Sequence, residues 1–256
     1  MNGVAHEVHG AGPSVVLVHS FPLDRGMWDA QRDALVSAGL RVLTLDLPGF
    51  GHSPLGALAD ETPSLEAYVD AVVGALDAHG MTRAAVVGLS LGGYVALALA
   101  RRHAGRIASL VLADTRAAAD NATTRAGRVL NMNLVKKQGP RALVDKLLPG
   151  LVAPGAGAQV RESVREMAAR QAPEGVSWAL LAMRDRPDAT AVLPTITAPT
   201  LVLCGALDAV TPPEELRALA GAIPGAVYRE LPGAGHLSNL EAPALFNAEL
   251  VRFLVP

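Results

Sequence analysis

A single cysteine, Cys204, in 256 residues leaves no partner for an internal disulfide; beside the apolar run Thr200–Leu203 it reads as a small buried hydrophobe. Nor does an export signal stand at the N-terminus. No basic region precedes a long apolar segment there, and Ser14–Val18 is too short to serve as one, so the expectation is a cytoplasmic protein with no anchor. Positive charge is not in excess: 22 Lys and Arg against 24 Asp and Glu give a net charge of −2, scattered along the chain, and this sets nucleic acid and other polyanions aside as partners. Residues 84–100 are uncharged between Arg83 and Arg101-Arg102, but a stretch this short, studded with Gly and Ser, falls below a membrane span, so no membrane partner is expected. His and Cys spacing shows no zinc pattern, and neither a metal nor an organic cofactor is expected. No internal repeat is present.

What the chain does have is apolar material, half of its residues, in a length that suits one α/β domain carrying an insertion. Val15–Val18, Arg41–Leu45, Ala84–Leu89, Ile107–Ala113 and Thr200–Leu203 are short apolar runs of the kind buried on both faces of a parallel sheet, with Val4–Val8 and Val227–Leu231 as further strands. Stretches with helical spacing separate them, for example Leu65, Tyr68, Val69, Val72, Val73 and Leu76. This alternation predicts a mostly parallel central sheet covered by helices on both faces. From about Ala117 to Leu193 the strand signals vanish. Ala- and Arg-rich segments broken at Gly139-Pro140, Pro149-Gly150, Pro154-Gly155, Pro173 and Pro187 predict about four helices inserted as a cap, so the core is expected at 1–116 and 194–256 and the cap at 117–193. Beyond the insertion, Thr211-Pro212-Pro213-Glu214 has the form of a capped helix start.

The chemistry centres on Gly88-Leu89-Ser90-Leu91-Gly92. A buried strand runs into it and a helix leaves it, so the chain turns sharply at Ser90 and lifts the hydroxyl above the end of a sheet, the two glycines leaving room for a strained backbone. A serine hydroxyl is a poor nucleophile at neutral pH and needs a base, which in turn needs an orienting acid. Asp208, just after the strand 200–203, and His236, in the Gly-rich loop 232–236, follow Ser90 in the order such a turn requires. Asp114, which also ends a strand, is the rival acid. His19 and His52 read as structural residues bonding loop backbone, Asp46 as a brace for its own loop, and His6, His9, His79 and His103 as surface residues.

With these residues assembled, the chain resembles an α/β-hydrolase-fold enzyme over nearly its whole length. His19-Ser20-Phe21-Pro22 is similar to the family's His-Gly-x-Pro oxyanion loop, with Ser20 where glycine is usual. Asp46-Leu47-Pro48-Gly49-Phe50-Gly51-His52-Ser53 is similar to its Asp-x-x-Gly-x-Gly-x-Ser segment, and Gly235-His236 with Asn239-Leu240-Glu241 to its closing segment. The branch it most resembles is that of the 3-oxoadipate enol-lactonase-like esterases and lactonases. The resemblance implies a serine hydrolase of small to medium, largely apolar carboxylic esters or lactones. Ser90 is then the nucleophile, His236 the base, Asp208 the acid, and the backbone N–H groups of Phe21 and Leu91 the oxyanion donors. Phe21, Met132, Trp178 and Met183 are expected against the substrate, although helix packing explains the last three equally well. A carbon–carbon bond hydrolase or a cofactor-free perhydrolase would use the same three residues, and a non-catalytic small-molecule receptor shares the fold.

Overall fold

Seven of the β-rich runs become strands of one sheet, because a Val- and Leu-dense run can be buried on both faces only where helices cover each side. The computed structural model describes residues 4–255. The strands are β1 (His6–His9), β2 (Ser14–Val18), β3 (Arg41–Leu45), β4 (Ala84–Leu89), β5 (Ile107–Ala113), β6 (Thr200–Gly205) and β7 (Val227–Leu231). Between and after them lie α1 (Asp29–Ser37), α2 (Leu65–Ala78), α3 (Leu91–His103), α4 (Ala122–Leu151), α5 (Ala158–Ala169), α6 (Pro173–Arg184), α7 (Pro213–Gly221), the short α8 (Ser238–Glu241) and α9 (Pro243–Leu254). Sheet order is β1-β3-β2-β4-β5-β6-β7, with every pair parallel except β1 and β3. Alternate residues feed two apolar clusters, one on each face: Val16, Val18 and Val86 join the first, Val15, Leu17 and Val87 the second.

The register aligns the strand ends that matter. Val18 pairs with Leu45 and Gly88, Leu89 with Ala113, and Ala113 with Leu203. The loops after β2, β3, β4, β5 and β6 therefore leave from one carboxyl edge, the side on which open parallel sheets build their sites.

Two boundaries differ from the sequence expectation. The first strand starts at His6 rather than Val4. Within 117–193 the helices α4, α5 and α6 appear as expected, but Pro149-Gly150 breaks nothing: the helix runs through to Leu151. Gly139, at φ 81° and ψ 171°, is the real discontinuity, and Pro140 opens the second segment, where its missing N–H costs least. Pro149 lies in the last turn and removes only one backbone bond before the helix ends anyway. The core expected at 1–116 and 194–256 includes residues 1–3 and 256, which lie outside the described residues. Among the described residues no helix is long and apolar enough to cross a membrane.

Candidate active site

Ser90 joins β4 to α3 with φ 54° and ψ −110°, a conformation that costs a residue with a side chain on the order of 1–3 kcal/mol. What holds it is the close approach of its neighbours. A Cβ on Gly88 would lie 2.2 Å from the Gly92 carbonyl oxygen, and one on Gly92 would lie 2.1 Å from the Val18 carbonyl oxygen. Neither glycine has positive φ, so they serve contact rather than backbone freedom, and the strain falls on Ser90 itself. Two bonds from the next strand fix the turn: Ser90 N–H donates to the Ala113 carbonyl (2.9 Å) and Thr115 Oγ1 donates to the Ser90 carbonyl (2.8 Å).

Three loops from separate strands bring Ser90, His236 and Asp208 together. Ser90 Oγ and His236 Nε2 are 2.9 Å apart, and His236 Nδ1 is 2.9 Å from Asp208 Oδ2. His236 and Asp208 are both buried, while Ser90 keeps partial exposure. Asp208 Oδ1 accepts from the backbone N–H groups of Val210 (2.8 Å) and Thr211 (3.0 Å), and Oδ2 also accepts from Thr211 Oγ1 (2.5 Å). Burial opposes a charge here, but His236 and the Thr211 donors outweigh it and hold the Asp208 carboxyl below its ordinary range. A fixed anion at Nδ1 selects the tautomer with the proton on Nδ1, leaving Nε2 to accept from the serine.

The Thr211 hydroxyl thus goes to Asp208, not to a helix start: α7 begins at Pro213 and has no side-chain cap. The capping pattern in the sequence is real, but Asp208, three residues upstream in the same loop, takes its hydroxyl. His52 is a second correction. Its ring is 83% exposed and bonds no loop backbone, with Nδ1 3.6 Å from Asp46 Oδ2; its backbone N–H donates to the same oxygen at 2.9 Å. His19 does brace loops as expected. Its Nδ1 bonds the Ser20 carbonyl (2.9 Å) and its Nε2 accepts the Leu47 N–H (2.9 Å), which requires the neutral ring; burial lowers its pKa accordingly. Asp46 braces its loop and also accepts from the Arg25 N–H at 2.9 Å.

The first turn of α3 supplies backbone donors with no acceptor inside the helix, Leu91 foremost. Phe21 follows Ser20, which is fully buried, has no positive φ and directs its hydroxyl to the Phe21 carbonyl (3.3 Å), so a serine fits the position where the family pattern has glycine. Phe21, Trp178 and Met183 belong to the apolar cluster that also contains Leu91, Phe50 and Tyr94, with Met132 packed against it. Trp178 stacks edge-on to Tyr68 (5.2 Å) and donates its indole N–H to the Leu58 carbonyl (3.0 Å). The Met183 sulfur receives Arg128 Nη1 at 3.4 Å.

Ser238 had no signal in the sequence, and Asn239 and Glu241 stood only as part of the closing segment, with no partner assigned. Ser238 bonds Asp114 Oδ2, Glu241 accepts from Gly235 N–H (3.0 Å) and Ala153 N–H (2.7 Å), and Asn239 donates to the Met27 carbonyl (2.8 Å). Asp114, Cys204 and Asp208 offer ligand atoms within 4.8 Å of one another. They are a poor cation site: burial pushes the Cys204 thiol up, burial and the Asp208 charge push Asp114 well up, and Asp208 is saturated with donors. A cleft of about 500 Å³ beside Asp24, Arg25, Asp46 and Arg170 lies away from Ser90, and its buried carboxylates are already paired, Asp24 with Arg170 and Asp46 with Arg25.

A serine turn at a sheet edge with a buried His–Asp pair behind it is the arrangement of the alpha/beta hydrolase fold. The chain belongs to that family, matching it over residues 13–243, and is a hydrolase. It is similar to a thermophilic esterase from Thermogutta terrifontis (39% identical, TM-score 0.94, covering 98% of this chain and 92% of that one). It is also similar to the enol-lactonase of Burkholderia xenovorans LB400 (32%, TM-score 0.88, 99% and 96%). A third relative is a pimeloyl-[acyl-carrier protein] methyl ester esterase of Chromobacterium violaceum (33% over 237 residues, 90% of this chain and 89% of that one).

Proposed function

We propose that the protein hydrolyses small to medium, largely apolar carboxylic esters or lactones through an acyl-enzyme on Ser90. The observation that carries this is the unbroken chain from Ser90 Oγ through His236 to Asp208, two contacts of 2.9 Å each. Ser90 Oγ attacks the carbonyl carbon while His236 Nε2 takes its proton. The oxyanion is met by the N–H groups of Leu91 and Phe21. As the tetrahedral intermediate collapses, His236 returns the proton to the leaving alkoxide, and a water activated by the same nitrogen then releases the acid. Asp208 stays ionised and stabilises the imidazolium throughout. Residues 117–193 act as a cap, and Phe21, Met132, Trp178 and Met183 give the acyl side its apolar wall, in keeping with their membership of, or contact with, the cluster that contains Leu91. The names of the esterase and enol-lactonase relatives support the same substrate class.

The test is a panel of acyl esters of graded length and lactones of graded ring size. Multiple turnovers are expected on at least one class, and a stoichiometric, non-turning-over response to all of them would point instead to a receptor. Activity is expected to fall toward acid, because a protonated His236 cannot accept from Ser90. A rate that holds or rises on acidification would remove His236 from the role of base.

A further inference from the structure

Three consecutive residues at the end of β5 and just beyond it touch all three loops of the proposed triad. The Ala113 carbonyl accepts the Ser90 N–H and the Thr115 hydroxyl bonds the Ser90 carbonyl, as described above. Between them, Asp114 Oδ1 accepts the Gly205 N–H at 2.7 Å, at the root of the Asp208 loop. Its Oδ2 bonds the hydroxyl of Ser238, two residues beyond His236. Asp114 is fully buried and sits at φ 44°, the only residue besides Ser90 among the described non-glycine residues with positive φ. A strained, buried acid with no cationic partner is a costly thing to keep.

We propose that Asp114 is a positioning residue of this site, a neutral carboxylic acid whose two oxygens tie the Asp208 loop to the His236 loop and so keep the acid–histidine pair in register with Ser90. This rests on the triad reading above. The neutral form follows from the surroundings. The groups around it are Cys204 on β6, Asp208 and His236 in the two loops and Glu241 on α8; the one cation any of them offers, a protonated His236, is paired with Asp208. Two carboxylates this close cannot both ionise cheaply, and Asp208, with four donors, keeps the charge. Burial first and the Asp208 charge second raise the Asp114 pKa well above 3.8. Since Oδ1 receives an N–H, the acid proton belongs on Oδ2, facing Ser238 Oγ. His236 is then faced by a single anion, Asp208, correctly placed for the imidazolium, and Asp114 acts only as a strut.

The experiment compares Asp114→Ala, Asp114→Asn, Ser238→Ala and Ser90→Ala in the full chain, with a short-chain p-nitrophenyl ester, at equal folded fraction. Asp114→Ala is expected to lower kcat by about tenfold to a hundredfold with KM nearly unchanged, the size of effect that a small misplacement of reacting groups produces. Asp114→Asn keeps an acceptor for Gly205 and a donor for Ser238, and should recover most of that loss. Ser238→Ala should fall between, and the Asp114→Ala, Ser238→Ala double variant should be no worse than Asp114→Ala alone, as expected for two halves of one tie. A second readout does not depend on turnover. Because the folded pKa of Asp114 lies above its unfolded value, this group's contribution to wild-type stability falls as pH rises from about 4, so the melting temperature of Asp114→Asn should gain on wild type as pH is raised from there.

Asp114→Ala with kcat within about threefold of wild type, below the misplacement effect, overturns the proposal. So does a loss shared equally by Asp114→Asn, which would mean that the charge and not the tie matters, or a stability difference that is flat with pH. Should Asp114→Ala not fold, Ser238→Ala decides: unchanged kcat refutes the tie. An active Ser90→Ala overturns the triad reading instead, whatever Asp114 does.

Discussion

Ser90→Ala is expected to abolish turnover, with kcat down on the order of 10⁴-fold or more, while the protein stays folded. The change deletes one oxygen that bonds only His236 Nε2 and leaves the backbone of the turn in place. Alanine inherits the φ of 54°, and the close contacts of Gly88 and Gly92 that enforce it are untouched. Melting temperature and turnover measured on the same preparation separate the two effects. If the purified variant retains more than about a tenth of wild-type kcat, far above what loss of a nucleophile leaves, another group attacks the substrate.

Asp208→Asn should come close behind, with a loss of about 10⁴-fold, the cost of the same change in a serine protease triad. The geometry dictates which way the amide will sit. Oδ1 faces two backbone N–H groups, Val210 and Thr211, which cannot move, so the amide oxygen must stay there. The NH₂ then faces His236 Nδ1 and demands that this nitrogen be an acceptor. The ring proton shifts to Nε2, which points at Ser90 and can no longer receive its proton. A folded Asp208→Asn enzyme within about tenfold of wild type would contradict this and move the acid elsewhere, with Ser90 and His236 unaffected.

Much of this could be read from the chain. Periodicity marked the parallel strands because buried Val-rich runs have few alternatives, and Gly-x-Ser-x-Gly marked the turn because a Cβ at either glycine would fall within 2.2 Å of a backbone carbonyl oxygen. The order of Ser90, Asp208 and His236 could be read because each sits directly after a recognisable strand. What escaped were choices among competing partners. Thr211 fits a local capping rule and equally a local bond to the acid three residues before it, and the hydroxyl goes to the acid. His52 reads in sequence as a histidine bonding loop backbone, yet its ring is 83% exposed and its nearest charged group is Asp46, at 3.6 Å. Pro149 reads as a breaker until the helix end two residues later makes its missing N–H cheap. Ser238 and Glu241 bond across more than one element, and no local period encodes such partners.

The bond from the Ala153 N–H to Glu241, together with that from the Leu237 N–H to the Leu151 carbonyl (3.1 Å), makes the end of α4 part of the scaffold of the histidine loop. For anyone exchanging the inserted helices between relatives to transplant substrate preference, the graft has an internal fixed point. Residues 151–153 must present the same carbonyl and N–H in the same places whatever side chains surround them. A donor segment of different length through that stretch would shift the loop that carries His236 while leaving Ser90, Asp208 and His236 in the sequence.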